Sequence, residues 1–221
     1  MDGSLVNLND YELILWDLDG TLVDSRLDLV EATNVAMRTL GYPLVPFDRF
    51  SRMVGQGVRH LVTQALPPDV PPEKIETAIG IFLDWYKVHL ADNTRFYDGM
   101  KEGISRLSVP SAVVSNKREE LCRSILERLG AETIFVAVVG GDTCPERKPD
   151  PMPVLHVVKS RGATPGRTLM VGDSAVDIEA GNRAGVRTCG VMWGFGDPSG
   201  HPLFKPDFLV AGPEEFFPRG V

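Results

Sequence analysis

Four short apolar runs recur along the chain, and each ends on a polar or glycine residue. ELILW at 12–16 runs into Asp17, and SAVV at 111–114 runs into Ser115. TIFVAVV at 133–139 meets Gly140-Gly141-Asp142, and TLMV at 168–171 meets Gly172-Asp173. All four are continuous rather than alternating, the pattern of strands buried on both faces of a parallel sheet. Between them the period lengthens. Residues 117–129 (KREELCRSILERL) put Leu121, Ile125 and Leu129 on one face and stop at Gly130, a residue suited to a helix C-cap. Residues 174–184 form a second such stretch before Gly185. Strand and helix in alternation predict a doubly wound, Rossmann-like α/β core around a parallel sheet.

From about residue 25 to 93 the rhythm changes, with helical periodicity and no strand pattern. Leu27, Val30, Asn34, Met37 and Leu40 predict one amphipathic helix, ended by Gly41. Ile75, Ile79, Phe82, Tyr86 and Leu90 predict another, opened by Pro71-Pro72-Glu73, where proline in the first turn is tolerated. The segment PPDVPP reads as a rigid connection before it. The expected organisation is an α/β core from residues 1–23 and 95–221, interrupted by an all-helical cap over 24–94. In that pattern Trp85 and Tyr86 read as core side chains.

Composition narrows the partners. The 221 residues leave room for one core plus a modest insertion, and 43% hydrophobic against 24% charged residues argues for a packed interior. A net charge of −7 opposes nucleic acid and anionic membrane surfaces as partners. It does not oppose a small anion, because a metal and a few local cations reverse the sign inside a pocket. Cys122, Cys144 and Cys189 are widely spaced and contain no CxxC, which suits neither a disulfide framework nor a zinc site. The four histidines show no ligand spacing. The first residues carry acids with no cationic lead into an apolar run, and no window nears the roughly 18 apolar residues of a membrane span. The expected location is the cytoplasm, with no membrane association.

In a parallel α/β sheet, ligands bind at the carboxyl ends of the strands, so the residues after the four runs are read together. Asp17 and Asp19 would point the same way if the chain stays extended, and Gly20 permits a tight turn. Two acids that close imply a metal or a shared proton; an ordinary Asp/Gly turn is the alternative reading. Ser115-Asn116-Lys117, taken to open a helix, offers a hydroxyl and free backbone N–H groups to an anion, especially phosphate. N-capping explains the same residues and is compatible with it. Lys148, beside Pro149 and close to Pro151, is a restrained point charge of the kind that neutralises a phosphoryl group or a carboxylate, or else a surface lysine. Asp173 and Asp177 share one helix face if the helix starts there, supplying the hard oxygens Mg²⁺ takes, or else simple capping acids.

Each motif alone is weak, but their joint occurrence in this order is specific. DLDGTLVD (17–24), SNK (115–117), KPDP (148–151) and GDSAVD (172–177) resemble the four signature motifs of the haloacid dehalogenase superfamily. The helical insert is similar to that superfamily's small cap. VGQG at 54–57, VSNK at 114–117 and WGFGDPSG at 193–200 before PDFLV at 206–210 resemble its phosphoglycolate phosphatase subgroup. The GxG of 55–57 follows no strand and lacks a third glycine, so it is not a dinucleotide loop.

The resemblance implies a phosphomonoester hydrolase that works through an aspartyl-phosphate on Asp17, with Asp19 as general acid and base. Mg²⁺ would be held by Asp17, the backbone carbonyl of Asp19 and Asp173, with Asp177 as a further ligand or a support. Ser115 and Lys148 would hold the phosphoryl oxygens. Thr21, Asn116 and the cap residues Gly55, Gln56 and Arg59 would contact substrate, Arg59 or Arg52 meeting a carboxylate bidentately. The substrate would be a small phosphorylated metabolite, with phosphoglycolate the first candidate, and the cap would hinge near 24–25 and 92–94. Dehalogenases of the superfamily lack an acid at the position of Asp19, and phosphonate-cleaving members use an early cap lysine, whereas none occurs here between Asp24 and Lys74. A sugar phosphomutase of the β-phosphoglucomutase type, a pyrophosphatase of the same superfamily and a non-catalytic binding protein remain alternatives.

Overall fold

A computed structural model of the chain describes residues 6–50 and 53–218. Strand β1 (Leu13–Trp16) leads through a short β2 (Val23–Asp24) into four helices, α1 (Arg26–Thr39), α2 (Phe47–Phe50), α3 (Val58–Ala65) and α4 (Pro72–His89). The chain returns through β3 (Arg95–Phe96) and α5 (Met100–Ser105) to β4 (Ser111–Val114), α6 (Glu119–Arg128) and β5 (Ala137–Val139). It finishes with α7 (Met152–Arg161), β6 (Thr168–Gly172), α8 (Ala175–Ala184), β7 (Arg187–Val191) and β8 (Phe208–Val210). Among the described residues no helix is long and apolar enough to cross a membrane.

Six strands pair in the order β5-β4-β1-β6-β7-β8, every neighbour parallel, so β1 sits inside the sheet with β4 and β6 beside it. Successive side chains of a strand leave opposite faces, and both faces here are apolar. Leu13 and Leu15 join Ala112, Val114 and Met170 under α7 and α8, where Val154, Val157 and Ala180 cover them. Ile14 and Trp16 join Val113, Leu169 and Val171 on the other face, in a cluster continuous with Leu121 and Ile125 of α6 and with the inserted helices. Burial of each such large side chain contributes about 1.5–3 kcal/mol.

The insert is carried on a narrow neck. β2 and β3 pair antiparallel, Val23 opposite Phe96 and Asp24 opposite Arg95, so the outgoing and returning chains lie side by side. Just beyond, the buried carboxylate of Asp28 on α1 accepts from the backbone N–H and side-chain amide of Asn93 and from the N–H and hydroxyl of Thr94. Leu29, Ala32, Thr33, Ala36 and Met37 of α1 and Ala78, Ile79, Phe82, Leu83 and Tyr86 of α4 are the buried faces of the two longest inserted helices.

Several expectations shift. The face expected on α1 is rotated: Met37 is buried as expected, but Leu27 is 51% exposed, and the buried stripe reaches Met37 through Leu29, Ala32 and Ala36. The strand expected over 133–139 is only β5; residues before it form a turn in which Ile134 N–H donates to the Ala131 carbonyl. β7 and β8 complete the sheet, although Arg187, Thr188 and Gly190 break the apolar run of β7. Finally, the helix expected to open at Ser115 begins at Glu119, with Arg118 as its N-cap residue.

Candidate active site

The strand register brings the site together. Trp16 lies opposite both Val113 and Val171, so β1, β4 and β6 end at nearly the same level. Asp17, Ser115 and Asp173 follow those ends and meet at one edge of the sheet. Backbone hydrogen bonds hold two of them there: Asp17 N–H donates to the Val171 carbonyl and Ser115 N–H to the Val139 carbonyl, each at 2.9 Å.

Lys148 enters the same edge from the loop after β5. Its Nζ donates to Asp17 Oδ1 at 2.9 Å, Asp177 Oδ1 at 2.6 Å and the Val114 carbonyl at 2.5 Å, which uses all three donors of the ammonium. Burial works against its charge, but Asp17 and Asp177 hold its pKa above the usual lysine range. Asp177 is itself fixed, because its Oδ2 accepts the Ser174 N–H at 3.1 Å and the Ser174 hydroxyl at 2.6 Å in the capping box of α8.

Three buried acids crowd this point. Carboxylate oxygens of Asp17, Asp173 and Asp177 all lie within 4.8 Å of one another. Burial, then the charges of Asp177 and Asp19 against the opposing effect of Lys148, push Asp17 up to about 6. Burial, then Asp177 and Asp17, push Asp173 up to about 8, although Phe195 and Gly196 N–H groups donate to its Oδ2 at 2.7 and 3.1 Å. Glycines permit the crowding. Gly20 adopts φ +85°, and a Cβ there would stand 2.3 Å from Asp173 Oδ2; one at Gly172 would stand 2.3 Å from Asp177 Cγ. Counting Asp19, four carboxylates face the two ammonium groups of Lys117 and Lys148. The surplus negative charge and the hard-oxygen donor set fit a divalent cation such as Mg²⁺.

Asp19 sits apart from that cluster. The chain turns after Asp17, with Leu22 and Val23 N–H groups both donating to the Leu18 carbonyl at 3.0 Å, so the extended geometry expected for Asp17 and Asp19 is not kept. Asp19 Oδ1 accepts from the Ser25 hydroxyl at 2.5 Å and lies 3.1 Å from Lys117 Nζ. Lys117 in turn donates to the Tyr86 hydroxyl at 2.7 Å and stands 4.6 Å from the centre of the Tyr86 ring. Burial opposes its charge, and Asp19 and Tyr86 more than offset that, holding the Lys117 pKa above the usual range.

Above these groups is a cavity of about 270 Å³ between core and insert. Asp17, Asp19, Ser115, Asn116 and Lys117 line its core side, and Gly55, Gly57, Arg59, Phe82 and Tyr86 line the side of the insert. The expected contact residues divide here. Asn116 donates through Nδ2 to the carbonyls of Gly55 and Lys148, tying the insert's turn to the core. Gln56 is exposed and does not line the cavity. Arg59 lines it but is paired with Glu76, Nη1 to Oε1 at 2.6 Å. Thr21 is fully buried away from it, its hydroxyl without a partner and its carbonyl accepting from Trp193 Nε1. Arg52 lies outside the described residues.

The model of the haloacid dehalogenase-like hydrolases matches residues 14–191, which contain Asp17, Asp19, Ser115, Lys148, Asp173 and Asp177. The chain belongs to that family. It is 37% identical to a phosphoglycolate phosphatase of Chromobacterium violaceum over 201 residues, 88% of this chain and 90% of the relative. It is 36% identical to one of Aquifex aeolicus over 206 residues, 92% of this chain and 93% of that one. Among solved structures, a predicted phosphoglycolate phosphatase from Haemophilus somnus 129pt superimposes with a TM-score of 0.84 at 29% identity, covering 92% of this chain and 95% of that one. A haloacid dehalogenase-like hydrolase from Bacteroides fragilis gives 0.83 at 22% identity over 91% and 97%, a likeness of fold.

Two features of this hydrolase escaped the sequence reading. Lys117 stood in the VSNK string, yet nothing there marked it as the partner of Asp19; a lysine three residues past a strand end was the available signal. Tyr86 fitted the apolar stripe of α4 and does bury its ring, but its hydroxyl belongs to the site.

Proposed function

We propose that this hydrolase cleaves small phosphate monoesters by passing the phosphoryl group through Asp17, with 2-phosphoglycolate the first candidate because the curated relatives above carry that activity in their names. The single observation that carries the reading is the position of Asp17. It ends a central strand, is held by Lys148, shares a cation-sized gap with Asp173 and Asp177, and borders a small cavity.

In this reading a carboxylate oxygen of Asp17 attacks phosphorus while the bond to the leaving oxygen breaks and Asp19 gives that oxygen its proton. Water then attacks the aspartyl-phosphate, Asp19 takes the water's proton, and the bond to Asp17 breaks to release inorganic phosphate. Ser115 holds a phosphoryl oxygen, and Lys148 keeps compensating charge beside Asp17 throughout. Asp17, Asp173 and the Asp19 carbonyl would hold Mg²⁺, with Asp177 anchoring Lys148 beside it. When bound, that cation supplies positive charge to the phosphoryl oxygens and offsets the surplus acids. Residues 24–94 serve as a cap over a core of 1–23 and 95–221, closing the cavity against water.

The test is phosphate release from 2-phosphoglycolate and an aryl phosphate with Mg²⁺, alongside mass spectrometry of acid-quenched enzyme. Wild type should turn over and carry a phosphoryl group on the peptide containing Asp17, and Asp19→Asn should lose about 10²–10⁴-fold in rate. Undiminished turnover by Asp17→Asn rejects the mechanism.

A further inference from the structure

Among the described residues four cationic side chains line the cavity, Arg59, Lys117, Arg118 and Arg147. Two are already paired, Lys117 with Asp19 and Tyr86, and Arg59 with Glu76. Among the described residues Arg118 and Arg147 make no ion pair and no side-chain hydrogen bond.

Both are exposed, and Arg147 is the one whose guanidinium lies against the turn of the insert. It directly precedes Lys148, but the two side chains serve different places: Lys148 is 3% exposed against Asp17, whereas Arg147 is exposed and lines the cavity. Its guanidinium lies beneath the turn of the insert. A Cβ added at Gly57, where φ is +84°, would stand 3.1 Å from Arg147 Nη1 and 3.2 Å from the Asn116 carbonyl. The absence of a side chain at Gly57 therefore leaves room for the guanidinium under the turn. Asn116 fastens the same turn through the Gly55 carbonyl at 3.0 Å. Arg118 is the N-cap residue of α6, on the core side of the cavity.

Resting on the phosphatase reading, we infer that Arg147 binds a second anionic group at the far end of the substrate, which makes the preferred substrate a short phosphate monoester bearing a carboxylate. The phosphoryl end is met by Ser115 and by Asp17, whose charge Lys148 offsets. A carboxylate enclosed in the remaining space needs a cation of its own, since burying an unpaired charge is strongly unfavourable. Arg59 and Lys117 are committed elsewhere, and a guanidinium presents two parallel N–H groups to a carboxylate. Arg147 is thus a specificity residue that touches substrate away from the reacting atoms.

The experiment compares kcat/KM for 2-phosphoglycolate with that for ethyl phosphate, which has the same phosphate end and no carboxylate, in wild type, Arg147→Met, Arg147→Lys and Arg118→Met. The wild-type ratio should favour phosphoglycolate. Arg147→Met should lower that ratio roughly ten- to a hundredfold, mainly through KM, as expected for losing a charged hydrogen-bonding partner. Arg147→Lys should recover part of it. A ratio unchanged in Arg147→Met, or one that falls only in Arg118→Met, overturns the assignment. A wild type that hydrolyses both esters without preference also overturns it while leaving the phosphatase reading intact. A wild type that hydrolyses neither rejects that reading itself.

Discussion

Lys148 and Asp177 meet at 2.6 Å with both side chains only 2% exposed, and Asp17 shares the same ammonium. A buried cation between two buried acids is marginal as a source of net stability, but removing one member strands the others. Lys148→Met leaves Asp17 and Asp177 buried without their cation. Urea unfolding in metal-free buffer should show a loss of about 3–5 kcal/mol. Phosphate release should fall on the order of 10²–10³-fold at saturating Mg²⁺, as for loss of one preorganised transition-state donor. A stability loss below about 1 kcal/mol would mean that the acids relax to water.

The crowding of Asp17 and Asp173 gives the metal-free protein a pH dependence of definite sign. Their native pKa values, about 6 and about 8, lie above the ordinary aspartate value of 3.8. Between about pH 4 and 8 the folded state therefore binds more protons than the unfolded one, and its stability falls as pH rises through that window. A divalent cation acts in the opposite direction, since it binds the ionised acids of the native state and competes with their protons. Thermal melts with chelator and with Mg²⁺ at pH 5 and pH 8 should show a larger Mg²⁺-induced rise in Tm at pH 8. Asp173→Asn should shrink both the metal-free slope and the Mg²⁺ response. An equal or larger Mg²⁺ shift at pH 5 contradicts the account.

What could be read from the sequence follows the range of the interactions involved. β1, β4 and β6 were legible because strands buried on both faces need continuous apolar runs, and parallel register then gathers their ends. β7 was not, because Arg187 and Gly190 interrupt its run and its place depends on pairing with β6. The same division holds in the site. Asp17, Ser115 and Asp173 stand at strand ends, whereas Lys117 acquires its place from Tyr86, on a helix of the insert. Arg59 was read as an available cation because Glu76, on a separate helix, is far away in sequence and near in space. Asp28 gave no signal at all, since its partners Asn93 and Thr94 sit across the whole insert.

Tyr86 joins the insert to the reacting end of the site through Lys117, and the two parts of that contact separate by mutation. Tyr86→Phe keeps the ring under the ammonium and removes the 2.7 Å hydrogen bond. Stability should fall by about 1 kcal/mol, and kcat several-fold, because Lys117 loses one of the two groups that place it against Asp19. Tyr86→Leu removes the ring contact too and should cost further activity. Lys117→Met should exceed both, since Asp19 then loses its neighbouring cation. If Tyr86→Leu and Tyr86→Phe match wild type in steady-state kinetics, the contact plays no part in turnover.

Asp28 fixes the neck of the insert, and its variants should loosen that neck without touching the chemistry directly. Its carboxylate satisfies the backbone N–H groups of Asn93 and Thr94 and the Thr94 hydroxyl, at 2.7–3.0 Å, in a place where Asp28 is 1% exposed. Asp28→Asn replaces one acceptor oxygen with a donor that faces other donors, and Asp28→Ala leaves all of them unpaired. Each should destabilise the protein by about 1–3 kcal/mol, with Ala at the upper end. Hydrogen exchange supplies the specific readout. The amides of Asn93 and Thr94 should lose protection in both variants, while the amides of β1 and β6 keep their protection relative to the variant's own global stability. Uniform loss across neck and sheet would show that Asp28 supports the whole fold, and unchanged exchange at Asn93 and Thr94 would show that the neck is held by the β2–β3 pairing alone.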